Sequence, residues 1–137
     1  MRRGRLVLGL FTGVLLVASS AAHSLLGLPQ FRDGLTELDA PADLIVGLSL
    51  GWQLAGVSML TLGLIVVWLF ADALRRRSVS LRPSLLIGIA YLVFGTWALT
   101  VSNLDPFCLV FVVPGVLLVV AATGHNSATP RSEPPGR

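Results

Sequence analysis

The sequence is short of charge. Only 12% of its 137 residues are Asp, Glu, Lys or Arg, where a soluble domain usually carries about 25%. Lysine is absent, and all ten basic residues are arginine. That usage reflects coding bias. The arginines gather at the ends of apolar runs, so the net charge of +3 reads as topology and no nucleic-acid partner is implied. Cysteine is nearly absent too. Cys108 stands alone, which excludes an intrachain disulfide and a CxxC redox pair. Two histidines, one in the C-terminal tail, do not supply the paired axial ligands of a transmembrane b-type haem within one chain. The phosphate-loop and zinc-protease motifs are missing. So is an acidic residue in the first apolar run, on which small multidrug exporters of this size rely. No cofactor and no catalytic residue is implied.

What is abundant is apolar sequence. Hydrophobic residues make up 54% of the chain, and the mean hydropathy is +0.82. A hydrocarbon core of about 30 Å needs roughly 20 helical residues, and backbone polar groups in lipid must be satisfied within the segment. The fold expected is therefore all-α, a four-helix transmembrane bundle in one domain. Residues 1–5 form a basic N-terminus, and 6–122 the membrane domain. Its helices cover approximately 6–28, 41–73, 83–102 and 106–122. Residues 123–137, rich in Pro, Ser and Gly, are expected to be a disordered tail. Asp105-Pro106 reads as an N-cap followed by proline at the first helical position, and Ser80 to Pro83 and Asp39 to Pro41 can start the third and second helices in the same way. Pro114 removes one backbone hydrogen bond from the fourth run.

Arginine placement predicts orientation, since basic residues beside spans stay cytoplasmic. Arg2, Arg3 and Arg5 precede the first run. Arg75, Arg76, Arg77 and Arg82 separate the second and third, and Arg131 and Arg137 lie in the tail. Residues 29–43 instead carry Arg32 against Asp33, Glu37, Asp39 and Asp43, and the third loop has Asn103 and Asp105 without arginine. Both termini are thus expected in the cytoplasm of a multi-pass protein of the inner (plasma) membrane. A competing reading makes residues 1–22 a cleaved signal peptide, because the small residues Ala18 to Ala22 precede His23. Apolar character resumes at Leu25, Leu26 and Leu28, which favours a retained span.

Small residues at spacing four mark close helix packing in membranes. They are Gly9 and Gly13 in the first run, Gly47, Gly51 and Ala55 in the second, and Gly88 in the third. Such stripes serve packing within the bundle or contact with a second copy or another membrane protein. The lipid bilayer itself is an expected partner.

The candidates for chemistry are few. His23 shares a face with small residues, and an ionisable side chain in a membrane is costly and often functional. Its bland alternative is a hydrogen bond to a backbone carbonyl. Trp52 and Gln53 on the second run and Trp97 on the third lie at similar depth, and with His23 they are candidates to line a ligand cavity. Gln53 serves equally well as interhelical glue. Asp43, Asn103 and Asp105 form a candidate polar cluster at the outer face. Helix capping accounts for them more simply than a metal site, whose ligand spacing they do not show.

The segments His23-Ser-Leu-Leu-Gly-Leu-Pro-Gln-Phe31, Gly51-Trp-Gln-Leu-Ala-Gly56 and Met59-Leu-Thr-Leu-Gly63, with an acidic outer loop, resemble small bacterial four-helix integral membrane proteins of unassigned role. In overall shape the chain is similar to the DoxX-like group. The resemblance spans residues 5 to 122 and rests on size, helix number and a few glycines. It implies the fold and carries no active site across. Three roles are compatible with these residues. The first is a structural or accessory subunit of a membrane complex, the second a carrier or binding protein for a small apolar molecule or quinone, and the third a metal-dependent membrane enzyme using His23 and the outer carboxylates.

Overall fold

Four helices are long and apolar enough to cross a membrane: Arg3–Glu37, Ala42–Leu74, Arg82–Val101 and Pro106–Thr123. The computed structural model describes residues 2–75 and 78–123, so Arg76, Arg77 and nearly all of the expected tail lie outside the described residues. Among the described residues there is no strand, and the fold is an all-α four-helix bundle. Its faces are inverted relative to a water-soluble bundle. No more than a third of each span's most apolar stretch is buried, while Leu54, Leu64, Trp68, Leu86 and Val93 stand more than half exposed on the outside. Such an apolar exterior is tolerable in lipid and a liability in water.

The first span is longer than the apolar run that announced it. Helix α1 (Arg2–Ala22) passes through a π-helical turn, His23–Gly27, into α2 (Leu28–Glu37). The residues expected to form an outer loop are thus largely helical. The cause lies at Pro29, whose ring would collide with the carbonyl four residues back and which donates no hydrogen bond. The widened turn directly before it relaxes that ladder, and the helix continues. It stops at a Schellman motif. Asp39 takes the left-handed conformation with φ 54°, Ala40 N–H donates to Leu35 O at 3.1 Å, and Asp39 N–H donates to Thr36 O at 3.0 Å. Asp tolerates this conformation better than most residues, and Pro41 follows as the N-cap of α3 (Ala42–Leu74), without a side-chain cap. At the other end of α3 the chain turns into α4 (Arg82–Val101). There Ser80 Oγ accepts from Arg82 N–H at a long 3.4 Å. A second left-handed cap, Asn103 with φ 53° and Leu104 N–H on Leu99 O at 2.8 Å, ends α4. Asp105 then starts the last span. Its Oδ1 accepts from Phe107 N–H at 2.9 Å, opening a 3-10 turn, Pro106–Cys108, that leads into α5 (Leu109–Thr123). Helix α5 continues unbroken through Pro114.

Packing makes two hairpins. Helix α1 lies along α3, α5 lies along α4, and α1 meets α5 to join them, while α3 and α4 barely touch. Glycine sets both close approaches. A Cβ on Gly13 would fall 2.9 Å from the Val67 backbone N, and one on Gly63 would fall 3.0 Å from the Val17 backbone N. In the other hairpin Gly88 and Gly115 each face the other's carbonyl, at 3.1 and 3.0 Å from the Cβ position. The core sits toward the arginine-bearing end, where Leu16, Val66, Phe70, Leu81 and Leu118 are at most 2% exposed.

The hairpins differ in length, and this positions the site. The first two spans have 35 and 33 residues and the last two 20 and 18. At about 1.5 Å per residue the first pair is roughly 50 Å long and the second pair roughly 30 Å. The second pair matches a hydrocarbon core of about 30 Å. The first pair overshoots at the acidic end, carrying Arg32, Asp33 and Glu37 on α2.

Candidate functional site

Most hydroxyl groups in the spans are satisfied by their own helix. Thr12, Ser49, Ser58, Thr61 and Thr123 each donate to the carbonyl four residues back at 2.6–2.9 Å. This local bond removes the penalty of a bare polar group in lipid and leaves these residues no reason to mark a site. His23 behaves differently. Its Nε2 lies 3.1 Å from the backbone oxygen of Trp52, across from another helix. Trp52 answers by donating its indole Nε1–H to the backbone oxygen of His23 at 2.9 Å. The rings are stacked, with centroids 4.3 Å apart and planes within 3°. Phe31 stacks on Trp52 as well, at 4.6 Å and 19°.

Local structure explains the pairing. His23 opens the π turn, where the altered ladder re-aims carbonyls that an α-helix would hold along its axis. Two glycines let the helices approach. A Cβ on Gly27 would meet the Trp52 ring at 2.9 Å, and one on Gly56 would run into Ser24 Oγ. A larger residue at either place would push α3 away from the turn.

Beside this pair lies a cavity of about 660 Å³, partly open, lined by Ser19, Ala22, His23, Gln30, Phe31 and Trp52 together with Met59, Phe107 and Phe111. That is inside the range of about 300–1,000 Å³ typical of small-molecule sites. The walls are mainly aromatic and aliphatic, with side-chain polar groups at Ser19, His23, Gln30 and the Trp52 indole. Phe107 belongs to the 3-10 turn between α4 and α5, at the tip of the short hairpin, so the cavity sits where that hairpin ends and the long one continues.

Of the four residues expected to line a cavity, the structure brings two together. His23 and Trp52 do so. Gln53 is half-buried on α3 outside the cavity lining, and Trp97 is 58% exposed over a shallow groove on α4 with Leu92, Val93, Thr96 and Thr100. Neighbours on a helix point about 100° apart, so Gln53 cannot follow Trp52 into the same wall. Phe31 and the π turn were not anticipated. The signals were present: Phe31 falls eight residues after His23, on one helical face, with Pro29 between them.

The outer polar residues have structural duties. Asn103 ends α4, Asp105 begins the following turn, and Asp43 is exposed in the first turn of α3, where a carboxylate favours the helix dipole. Among the described residues no group of three His, Cys, Asp or Glu side chains is placed to hold a metal ion. The packing glycines divide. Gly9 faces the Phe70 ring, Gly13 faces Val66 and Val67, and Gly88 faces Gly115 and Leu118. Gly47 and Gly51 have nothing within 4 Å of a Cβ position, and Ala55 and Ser58 continue their exposed face. On α3 it is Gly56 and Gly63 that approach the first span. No protein-family model matches the chain, and no curated protein or solved structure matches it.

Proposed function

We propose that this chain is a multi-pass membrane protein that binds or carries a small, mostly apolar molecule with a flat ring, a quinone-type molecule being the chemical class that suits the site. The observation that supports this reading is the cavity walled by the His23–Trp52–Phe31 stack. It joins planar aromatic surface to a few polar groups at the depth where an amphipathic molecule rests. The long apolar tail of such a molecule would lie along the lipid-exposed surface. The arginine distribution supports an orientation in the inner (plasma) membrane with both termini cytoplasmic. The cavity then faces the outer leaflet. The role proposed is binding.

The test is native mass spectrometry of the full chain released from mild detergent, beside an Ala22→Phe variant that fills the cavity. A bound small molecule in the wild type that is lost in Ala22→Phe supports the reading. Absence of any adduct, or equal retention in the variant, refutes it.

A second reading has its own support. Gly47, Gly51, Ala55 and Ser58 form an exposed small-residue face on α3, and such faces associate membrane helices. It favours an accessory subunit that contacts another membrane protein or a second copy. Cross-linking in membranes, comparing wild type with Gly51→Leu, tests it. An oligomer that survives the substitution rejects this face.

A further inference from the structure

The hydrogen bonds between His23 and Trp52 restrict what the cavity can offer a ligand. A backbone carbonyl only accepts, so the 3.1 Å contact of His23 Nε2 with Trp52 O requires the proton to be on Nε2. In the neutral imidazole the other nitrogen, Nδ1, then carries a lone pair and accepts. Trp52 has a single polar hydrogen, and it is spent on His23 O at 2.9 Å. The pair thus uses both of its donors on itself and keeps one acceptor. That acceptor is available. Among the described residues the only sealed side-chain N or O atoms without a hydrogen bond are Ser84 Oγ and Tyr91 Oη, and Nδ1 has no bonded partner either, so it is accessible on a ring that lines the cavity. Ser19 and Gln30 also line the cavity, and each can donate or accept. They do not discriminate between ligands, whereas His23 does.

We infer that the site selects a ring that donates a hydrogen bond, a phenol or quinol hydroxyl, over a ring that only accepts, a quinone carbonyl or an aryl ether. This rests on the ligand-binding reading above and adds the chemical class of the head. The hydroxyl donates to His23 Nδ1, the ring lies against the aromatic wall beside Trp52 and Phe31, and the tail leaves toward lipid. No bond is made or broken, and the reduced form is simply bound more tightly.

The experiment uses the full chain in mild detergent with Trp68→Phe and Trp97→Phe, both lipid-exposed positions, so that Trp52 is the remaining fluorophore. Quenching is titrated with para-decylphenol, its methyl ether, and decyl-benzoquinone. The three share a tail and differ in the head. One neutral hydrogen bond made inside a site corresponds to about a fivefold to tenfold tighter Kd for the phenol, and that preference should vanish in His23→Phe, which keeps a flat ring without nitrogen. Equal binding of the three in the wild type, or tighter binding of ether or quinone, overturns the donor-selective inference and leaves the ligand-binding reading standing. A phenol preference that survives in His23→Phe assigns selectivity elsewhere and overturns the role of His23. No binding by any of the three overturns both. The wild-type comparison stands even where His23→Phe fails to fold.

Discussion

Gly13→Ala and Gly51→Ala make the same chemical change in two long spans, and the structure assigns them opposite consequences. At Gly13 the new methyl lands 2.9 Å from the Val67 backbone N and 2.9 Å from the Val66 and Val67 methyl groups. The backbone nitrogen cannot rotate aside, so α1 and α3 must separate by roughly half an ångström along their contact. Overpacking of this kind costs about 1–3 kcal/mol. At Gly51 nothing lies within 4 Å, and the substitution brings only the better helix propensity of alanine, about 0.8–1.0 kcal/mol. That propensity is common to both sites and cancels in the difference. Gly13→Ala should therefore be less stable than Gly51→Ala by about 1–3 kcal/mol. The assay is unfolding by increasing SDS in mixed micelles, at a high detergent-to-protein ratio that keeps the chain monomeric, followed by circular dichroism. Equal midpoints for the two variants would refute the assigned helix packing.

Further outcomes follow from single features. Ser84 Oγ is fully buried without a hydrogen bond among the described residues, so Ser84→Ala should raise stability by about 1 kcal/mol, within the 1–3 kcal/mol that an unsatisfied group costs. A loss of stability in the same SDS titration would show that the hydroxyl is used. Helix α1 supplies Thr12, Leu16 and Ser20 to the buried interior, so the protein isolated from membranes should retain α1, and a product beginning at His23 would contradict this. A fluorescent reporter fused after residue 137 should be active in the cytoplasm, and alkaline phosphatase inserted in the 38–41 link should be active outside. The reverse pattern would reject the orientation.

Much of the fold was legible because lipid imposes few solutions. Four uninterrupted apolar runs must be helices, and Asp105-Pro106 marked where the last span begins. The length of the first span was not legible, since hydropathy follows a helix only while it is in the bilayer. Arg32, Asp33 and Glu37 look like a loop, yet they ride on a helix that continues past the apolar run. The π turn before Pro29 shows how a helix passes through a proline. Glycine spacing identified faces without identifying neighbours. Gly9, Gly13 and Gly88 do meet another helix. The stronger-looking Gly47-x-x-x-Gly51 faces outward, and the less regular Gly56 and Gly63 make the contact. At the site, His23 and Trp52 could be named from residue type and depth. Their mutual hydrogen bonds could not, because these depend on the rotation of α3 against the turn. Asn103 and Asp105 drew notice as polar residues at a membrane face, and both are spent on starting and stopping helices.

The claim that matters most is that the space beside His23 and Trp52 holds a ligand. A photoreactive alkyl phenol, with a diazirine on the ring, can be irradiated with the full chain in membranes and the labelled peptides mapped. Labels confined to residues 19–31, to Trp52 and Met59 and to residues 107–111, and removed by excess unlabelled phenol, are the predicted result. Labels scattered over the lipid-exposed faces around Leu54, Leu64 and Trp68, unaffected by competitor, would contradict it.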